Sequence, residues 1–562
     1  MALPFALTYF NNTWIFVKPI FIDRWIYSGF HMHLQSLLRT WGYTYYASRT
    51  PWDVLGWAVH RILPTEPALY VLHFLVFYVS AFSLYFAVLT LFSSRLAALT
   101  TVLLLATQSE FLTATGWDYV DGAYTACILV SLAAVALGAT RKRYHVAAFV
   151  WGVAITTTVS LYILMLVLIP AEVVLVLLLN RMRHRHSVGV FALWVFAGIC
   201  AAAIFYGCVN RLAGGPYLYF MGQILALHGV AAKRPEWFMP LHEWIGYATW
   251  LLIPLAIALM SVVVVVRHAV SSLRCLRKGT GNAESTLFVV CAAYLAACLS
   301  FVILALNHFA VLELDDKINA LLPFAFVCVG GALALAARTF PNLYTVPFSI
   351  MVVAVTLLPW FLSSVTRFLP IPQAFLGLHN EIAWILGDGI LLCIAAVLPR
   401  ILIAPQVYML AVILFTCIGF GGADTDMMQF VPNPYYKQGT LAVFQAMEQV
   451  QPYDRDARAR FWFDNHDKYV GLERDVVSSY LYGPALINEH FPSLVSWTGE
   501  TVTFRPGDRV IFLTSGSDPL ARADQTVAHQ RVFFQQVVRE HVTRPGIDFE
   551  FIVTDVRSLD ER

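Results

Sequence analysis

The chain is 562 residues long, 59% hydrophobic and only 13% charged, with a mean hydropathy of +0.67. Soluble domains are nearer half apolar and about a quarter charged, so a soluble globular enzyme is excluded. Residues 424–562 hold 14 basic and 20 acidic residues, which leaves 23 basic and 15 acidic for the first 423. The formal total of +2 is therefore +8 over residues 1–423 and −6 over 424–562, a membrane domain followed by a soluble tail. Basic residues confined to short loops between apolar runs do not make a nucleic-acid surface. All nine cysteines lie before residue 424, so the tail has no disulfide framework and no cysteine-based zinc site.

In chain order, the first 22 residues are interrupted by Asn11, Asn12, Thr13 and Lys18. They are too short and too polar for a full span, and predict either a short interfacial helix or a start downstream of a longer first span. Residues 23–67 read as an outer interfacial loop. Phe30, Leu34, Leu37, Leu38 and Trp41 recur at helical spacing opposite His31, Gln35 and Arg39, and Trp52, Leu55, Val59, Ile62 and Leu63 repeat the pattern. Apolar runs able to cross about 30 Å of hydrocarbon follow, at 68–92, 120–139, 188–209, 245–266, 286–308, 319–337, 344–363, 382–398 and 402–421, with a shorter one at 96–112. The stretch 146–180 suits an up-and-down pair. The fold class is thus an α-helical polytopic membrane protein with about 12 to 13 transmembrane helices, and a small C-terminal α/β domain at 424–562. In that tail the pattern predicts a helix near 440–451, a strand near 508–514, a helix near 525–541 carrying Val527, Phe534 and Val538 inward, and a strand with Phe549, Phe551 and Val553, together a βαβ unit. Ser515-Gly516-Ser517-Asp518 lacks the lysine of a phosphate loop and reads as a turn.

Sidedness follows from charge. Thirteen of the 23 basic residues of the membrane domain collect at Arg95, 141–143, 181–185, 267–278 (Cys275 in this basic loop), Arg338 and Arg400, the cytoplasmic side. Twelve of its fifteen acidic residues collect on the opposite side. There lie Asp23, Asp53, Asp118, Asp121, Glu313, Asp315, Asp316 and the tail.

Four groups at that face have useful chemistry. Asp23 is an acid among aromatics, either a helix N-cap or a functional carboxylate. Asp118 and Asp121 open a span, and their i, i+3 spacing puts both carboxylates on one helix face, suited to orienting a sugar or holding a divalent ion, or else to capping. Asp315, Asp316 and Lys317 stand at the mouth of another span. Tyr45, Tyr46 and Arg49 place a guanidinium beside aromatics, which suits phosphate oxygens and equally an interfacial belt. His31 and His33 do not share a helix face, so they are not a metal pair.

Asp23 followed by Trp-Ile-Tyr, then Tyr46-Ala47-Ser48-Arg49-Thr50-Pro51-Trp52, then Trp117-Asp118-Tyr119-Val120-Asp121-Gly122, then the acidic mouth ahead of Leu321-Leu322-Pro323, resemble bacterial members of the C-type (GT-C) glycosyltransferase superfamily. The branch is that of protein O-mannosyltransferases and the aminoarabinose transferase of lipid A. The resemblance implies a catalytic transmembrane domain over 1–423 and an extracytoplasmic tail. It implies transfer of a hexose or pentose from a polyprenyl-phosphate sugar to an acceptor hydroxyl of a lipid, glycan or protein, with inversion, at the outer face of the bacterial cytoplasmic membrane. Asp23 is then the general base, Asp118 or Asp121 the second acidic motif, and Arg49 and Lys317 the phosphate ligands, with Tyr46, Asp315 and Asp316 beside the donor. No cofactor is required by the motifs. Metal dependence stays open, with Asp118 and Asp121 the ligands if a divalent ion is used. The alternatives are a transporter or flippase of a lipid-linked sugar, which calls for internal symmetry and midplane charges where only Glu172 and Asp388 lie within spans, and a polysaccharide polymerase or ligase.

Overall fold

The computed structural model describes residues 3–10, 12–16, 22–106, 108–117, 119–140, 144–183, 188–231, 251–307, 309, 311–312, 315–339, 434–450, 452–453, 460–463, 503–515 and 518–561. The expected spans at 344–363, 382–398 and 402–421 lie outside the described residues, as does the boundary near 424.

A short helix, α1 (Leu3–Phe10), precedes two helices joined by a tight turn, α2 (Ile22–Trp41) and α3 (Thr50–Ile62). The bundle then runs α4 (Thr65–Phe92), α5 (Arg95–Ala106), α6 (Ser109–Gly116), α7 (Asp121–Thr140), α8 (Tyr144–Leu161), a 3-10 turn (Ile163–Leu168) leading into α9 (Ile169–Arg183), α10 (Val188–Leu212), α11 (Met221–Ala231), α12 (Leu252–Lys278), α13 (Ala283–Leu306), the one-turn α14 (Asp315–Ile318) and α15 (Leu322–Thr339). Seven of these segments are long and apolar enough to cross a membrane, and the bent pair α5 and α6 makes an eighth if counted as one span. The chain is a multi-pass α-helical membrane protein. The basic stretch around Cys275, expected as a loop, is instead the last turns of α12, which ends at Gly279 in a left-handed conformation.

Lys and Arg at a helix C-terminus complement its dipole, and here they also mark one end of the bundle. Arg338 at the end of α15 donates to the Phe92 carbonyl at the end of α4, 2.7 Å away. Gly281, after α12, abuts Met182 of α9. The starts of α4, α7, α9 and α15 therefore share the opposite end, and Asp121 is one of them. Backbones approach closely where glycine permits it: a Cβ on Gly152 of α8 would meet Val195 O of α10 at 2.1 Å, and one on Gly198 of α10 would meet Phe149 O of α8 at 2.2 Å.

At the acid-bearing end, α2 buries Phe30, Leu34, Leu37 and Leu38 and exposes Gln35 and Arg39. His31, expected outward, is buried, because it packs over Gly56 of α3, where any Cβ would overlap its ring. The α3 face also differs from expectation. Its buried residues are Thr50, Trp52, Asp53 and Gly56, whereas Ile62 is 79% exposed. Helix α3 is wedged between α2 and the bundle, so a polar face rather than the aliphatic one turns inward.

In the tail, α16 (Pro434–Val450) precedes a sheet of β1 (Arg460–Phe463), β2 (Arg509–Thr514), β3 (Val532–Arg544) and β4 (Ile547–Ser558), in the order β1-β2-β4-β3, with α17 (Leu520–Val527) after β2. The helix expected over 525–541 is overturned: it ends at Val527, and from Val532 the chain is an extended strand. Val527, Phe534 and Val538 match a helical period by coincidence, while Pro545-Gly546, with Gly546 at φ +77, supplies the hairpin turn that pairs β3 with β4. The βαβ unit is accordingly split. The strand carrying Phe549, Phe551 and Val553 runs antiparallel to β2 and lies between β2 and β3. Period-2 burial divides β2 cleanly: Val510 and Phe512 join Trp462, Phe534 and Val527 under α17, and Ile511 and Leu513 face α16. Helix α16 continues into the core of the bundle, with Phe444 against Trp25 and His60.

Candidate active site

The connections at the acid-bearing end converge on Arg49. Two short-range constraints place it. The turn after α2 closes through Arg49 N donating to Tyr46 O at 3.0 Å and Ser48 Oγ donating to Tyr45 O. Helix α3 then starts with Pro51 in its first turn, pre-set in φ. Next to Arg49, Thr50 Oγ1 donates to Asn210 Oδ1 of α10 at 3.2 Å, and Asn210 Nδ2 donates to Pro216 O at 2.8 Å. The start of α3 is thereby fixed against the bundle.

Arg49 is fully buried, enclosed by tyrosines from helix α2 and three separate connections. Its Cζ lies 4.2 Å from the Tyr45 ring, 5.1 Å from Tyr119, 5.3 Å from Tyr162 and 5.5 Å from Tyr27, and its Nη2 donates to Tyr45 Oη. Burial opposes the Arg49 charge, and the Tyr119, Tyr27 and Tyr45 phenols more than offset it, holding its pKa above the ordinary value. Burial pushes the Tyr27 phenol well up, with Arg49 pulling it back. Tyr46 stands edge-on to Tyr27 at 5.6 Å.

Lys317, which is 268 positions away in the chain, arrives from α14 at the same rings. Its Nζ is 4.7 Å from Tyr162 and 5.3 Å from Tyr119. Two cations thus share two tyrosine faces in a low-dielectric pocket, each favoured by the ring quadrupole. Like charges held together in such a place create a potential that favours an anion.

Asp121 opens α7, where a carboxylate suits the helix dipole. It is buried and accepts from Trp117 Nε1 at 2.7 Å, and Trp117 in turn packs on Tyr119 at 4.7 Å. Helix α7 begins at Asp121; Asp118 lies outside the described residues, and with it the expectation that Asp118 and Asp121 share one helix face. Asp23 falls in the first turn of α2, one turn before Tyr27, and Asp315 and Asp316 begin α14; their side chains lie outside the described residues. Among the described residues no group of three or more His, Cys, Asp or Glu could hold a metal ion.

Four participants are absent from the residues expected at this site. Tyr162 sits in the α8 to α9 connection without any flanking motif, so nothing local marks it. Tyr27 and Tyr119 are inside expected motifs but are visible as box walls only through their distances to Arg49. Asp53 carries a signal that a pattern search can find, an acid one helical turn after Arg49. Glu172, the acid expected within a span, is buried in α9 and accepts from Trp151 Nε1 at 2.6 Å and from Ser131 Oγ. Its partners are neutral, and it ties α7, α8 and α9 together.

No model of a known protein family matches the chain, and no curated protein matches it. Two solved structures are similar to it over nearly their whole length. ArnT from Cupriavidus metallidurans bound to undecaprenyl phosphate has 13% identity and a TM-score of 0.46, covering 98% of this chain and 97% of that one. The apo state of the same enzyme has 11% identity and a TM-score of 0.43, covering 99% and 97%.

Proposed function

We propose that the chain is a glycosyltransferase that moves a sugar from a polyprenyl-phosphate donor to an acceptor hydroxyl at the outer face of the bacterial cytoplasmic membrane. The observation that carries this reading is the convergence of Arg49 and Lys317 on the rings of Tyr119 and Tyr162. Two buried cations held by neutral aromatics suit an anionic headgroup, and a guanidinium edge can meet two phosphate oxygens at once. Their position at the end of a membrane bundle, beside the amphipathic helices α2 and α3, is where the phosphate of a lipid would sit while its chain stays in hydrocarbon.

In this mechanism the phosphate is the leaving group. Arg49 and Lys317 stabilise the charge that grows on it as the bond to the anomeric carbon breaks. Asp23 accepts the proton of the attacking hydroxyl, which enters from the face opposite the phosphate and inverts the anomeric centre. Asp121, with Asp118, orients the sugar or the acceptor. We put the tail on the same outer side, a reading supported by the pairing of Lys437 of α16 with Glu66 at the start of α4, 2.5 Å away.

The test uses the full-length chain in lipid nanodiscs with labelled polyprenyl-phosphate sugars and a membrane extract as acceptor source, following free polyprenyl phosphate. A transferase releases polyprenyl phosphate and passes the label to an acceptor. Proteoliposomes that carry the label across the bilayer without releasing polyprenyl phosphate would instead identify a transporter.

A further inference from the structure

Asp53 is a buried acid beside Arg49 with no role in the mechanism above. It lies in the first turn of α3, and its amide N–H donates to the Arg49 carbonyl at 3.2 Å. Arg49 is the residue that caps the start of α3, four positions before Asp53, its charge acts directly on the Asp53 carboxyl, and both side chains are fully buried. Among the described residues neither carboxylate oxygen of Asp53 accepts a hydrogen bond, and neither Nε nor Nη1 of Arg49 donates one. Only Nη2 is shown anchored, on Tyr45 Oη. Buried donors and buried acceptors left apart are each costly, and these two sets are complementary: a guanidinium edge with two N–H groups, and an acceptor with two oxygens one turn away. The same edge is the one a phosphate would take.

We propose that Asp53 is a positioning residue that acts through Arg49, holding the guanidinium once the polyprenyl phosphate has left and yielding it when the phosphate binds. This rests on the reading of Arg49 as a phosphate ligand. Asp53 is then an internal rival of the donor phosphate and sets how tightly the lipid product is held. Asp53 is a fully buried acid four positions from Arg49, so an arriving phosphate would meet its carboxyl as a competitor for the guanidinium. Burial pushes the Asp53 carboxyl well up while Arg49 pulls it back, and the charge of Asp53 also reaches Tyr27.

The experiment measures equilibrium binding of a fluorescent polyprenyl phosphate to the full-length chain in nanodiscs, with thermal unfolding recorded for each variant. Asp53→Asn keeps the shape and removes the charge, so binding should tighten by about tenfold and release of the lipid should slow. Asp53→Glu should stay near wild type. In an Arg49→Ala background the gain from Asp53→Asn should vanish, which a merely structural role does not predict. Unchanged or weaker binding by stably folded Asp53→Asn, with Arg49→Ala still weakening binding, overturns the role of Asp53 alone. Unchanged binding by Arg49→Ala overturns the phosphate reading and this inference with it. Should Asp53→Asn fail to insert, Asp53→Ser removes the same charge and is read the same way.

Discussion

An acceptor hydroxyl is a poor nucleophile until its proton has somewhere to go, and Asp23, one turn before Tyr27 in α2, is the residue assigned that task. Asp23→Asn keeps size and capping ability. If the residue were only a helix cap it should cost about 1 kcal/mol or less, with little change in turnover. As a general base its loss should lower turnover by about a hundredfold or more, with donor binding near normal, measured by release of polyprenyl phosphate. Retention of more than about a tenth of wild-type transfer by a stably inserted protein defeats the assignment. A second residue-scale test uses His33, buried in α2 at a non-helical φ of −127 and ψ of 32. Burial pushes its pKa down to about 4. The unfolded chain takes up a proton near pH 6.5 that the folded one refuses until about pH 4. His33 therefore contributes no penalty above about pH 6.5, and stability is lost as pH falls from there towards 4, by about 3 kcal/mol in all. His33→Gln should flatten that acid limb in thermal unfolding between pH 7 and 4, and an unchanged limb would place the sensitive group elsewhere.

Among the elements, the pair α8 and α10 depends on backbones in near contact. Gly152 and Gly198 face each other's helices so closely that a single methyl would strike a main-chain carbonyl, as expected where small residues let membrane helices approach. Gly198→Ala should force the helices apart and cost about 1 to 3 kcal/mol, seen as a fall in Tm in detergent, whereas Gly138→Ala, whose Cβ would meet only side chains at 3.4 Å, should be nearly silent. The same element scale explains which patterns could be read. Helix α2 shows its apolar stripe in sequence because one broad face is buried. Helix α3 was misread because it is buried on the side of Thr50, Asp53 and Gly56, residues that no hydrophobicity pattern selects. Strand β3 was misread because a half-exposed strand with Val527, Phe534 and Val538 nearby imitates a helical period, and only pairing with β4 on one side decides otherwise.

For the whole molecule, the two ends of the bundle differ in charge, and helix α16 meets the acidic one through the Lys437 to Glu66 pair and the Thr65 to Glu448 hydrogen bond. Both ion-pair partners are partly exposed, so Lys437→Met should cost less than about 1 kcal/mol of stability. It should nevertheless speed hydrogen exchange along 434–450, because the same ammonium also lies over Phe16 and Tyr70; unchanged exchange there would show that α16 is held by its apolar face alone. Topology is tested by a thiol reagent that cannot cross the membrane. In intact cells it should miss Cys275, at the basic end of α12, and modify a cysteine introduced at the exposed Asp548 of the hairpin, as read by peptide mapping. The reverse pattern would turn the protein over and remove an outer-face transferase.

Composition and charge order alone established a long helical membrane domain with a short α/β tail, since spans, basic loops and an acidic face are local properties of the chain and are set by hydrocarbon thickness and solvation. The motifs around Asp23, Arg49, Tyr119 and Asp121 were equally visible, and so was Lys317. Their grouping was not. Arg49 and Lys317 meet only because the α6 to α7 and α8 to α9 connections bring Tyr119 and Tyr162 to both of them, a contact between segments far apart in sequence that no spacing encodes. Asp53 became a partner of Arg49 for the same reason: burial decides whether two charges one helical turn apart are a solvated pair or a coupled one, and burial is a property of the packed bundle.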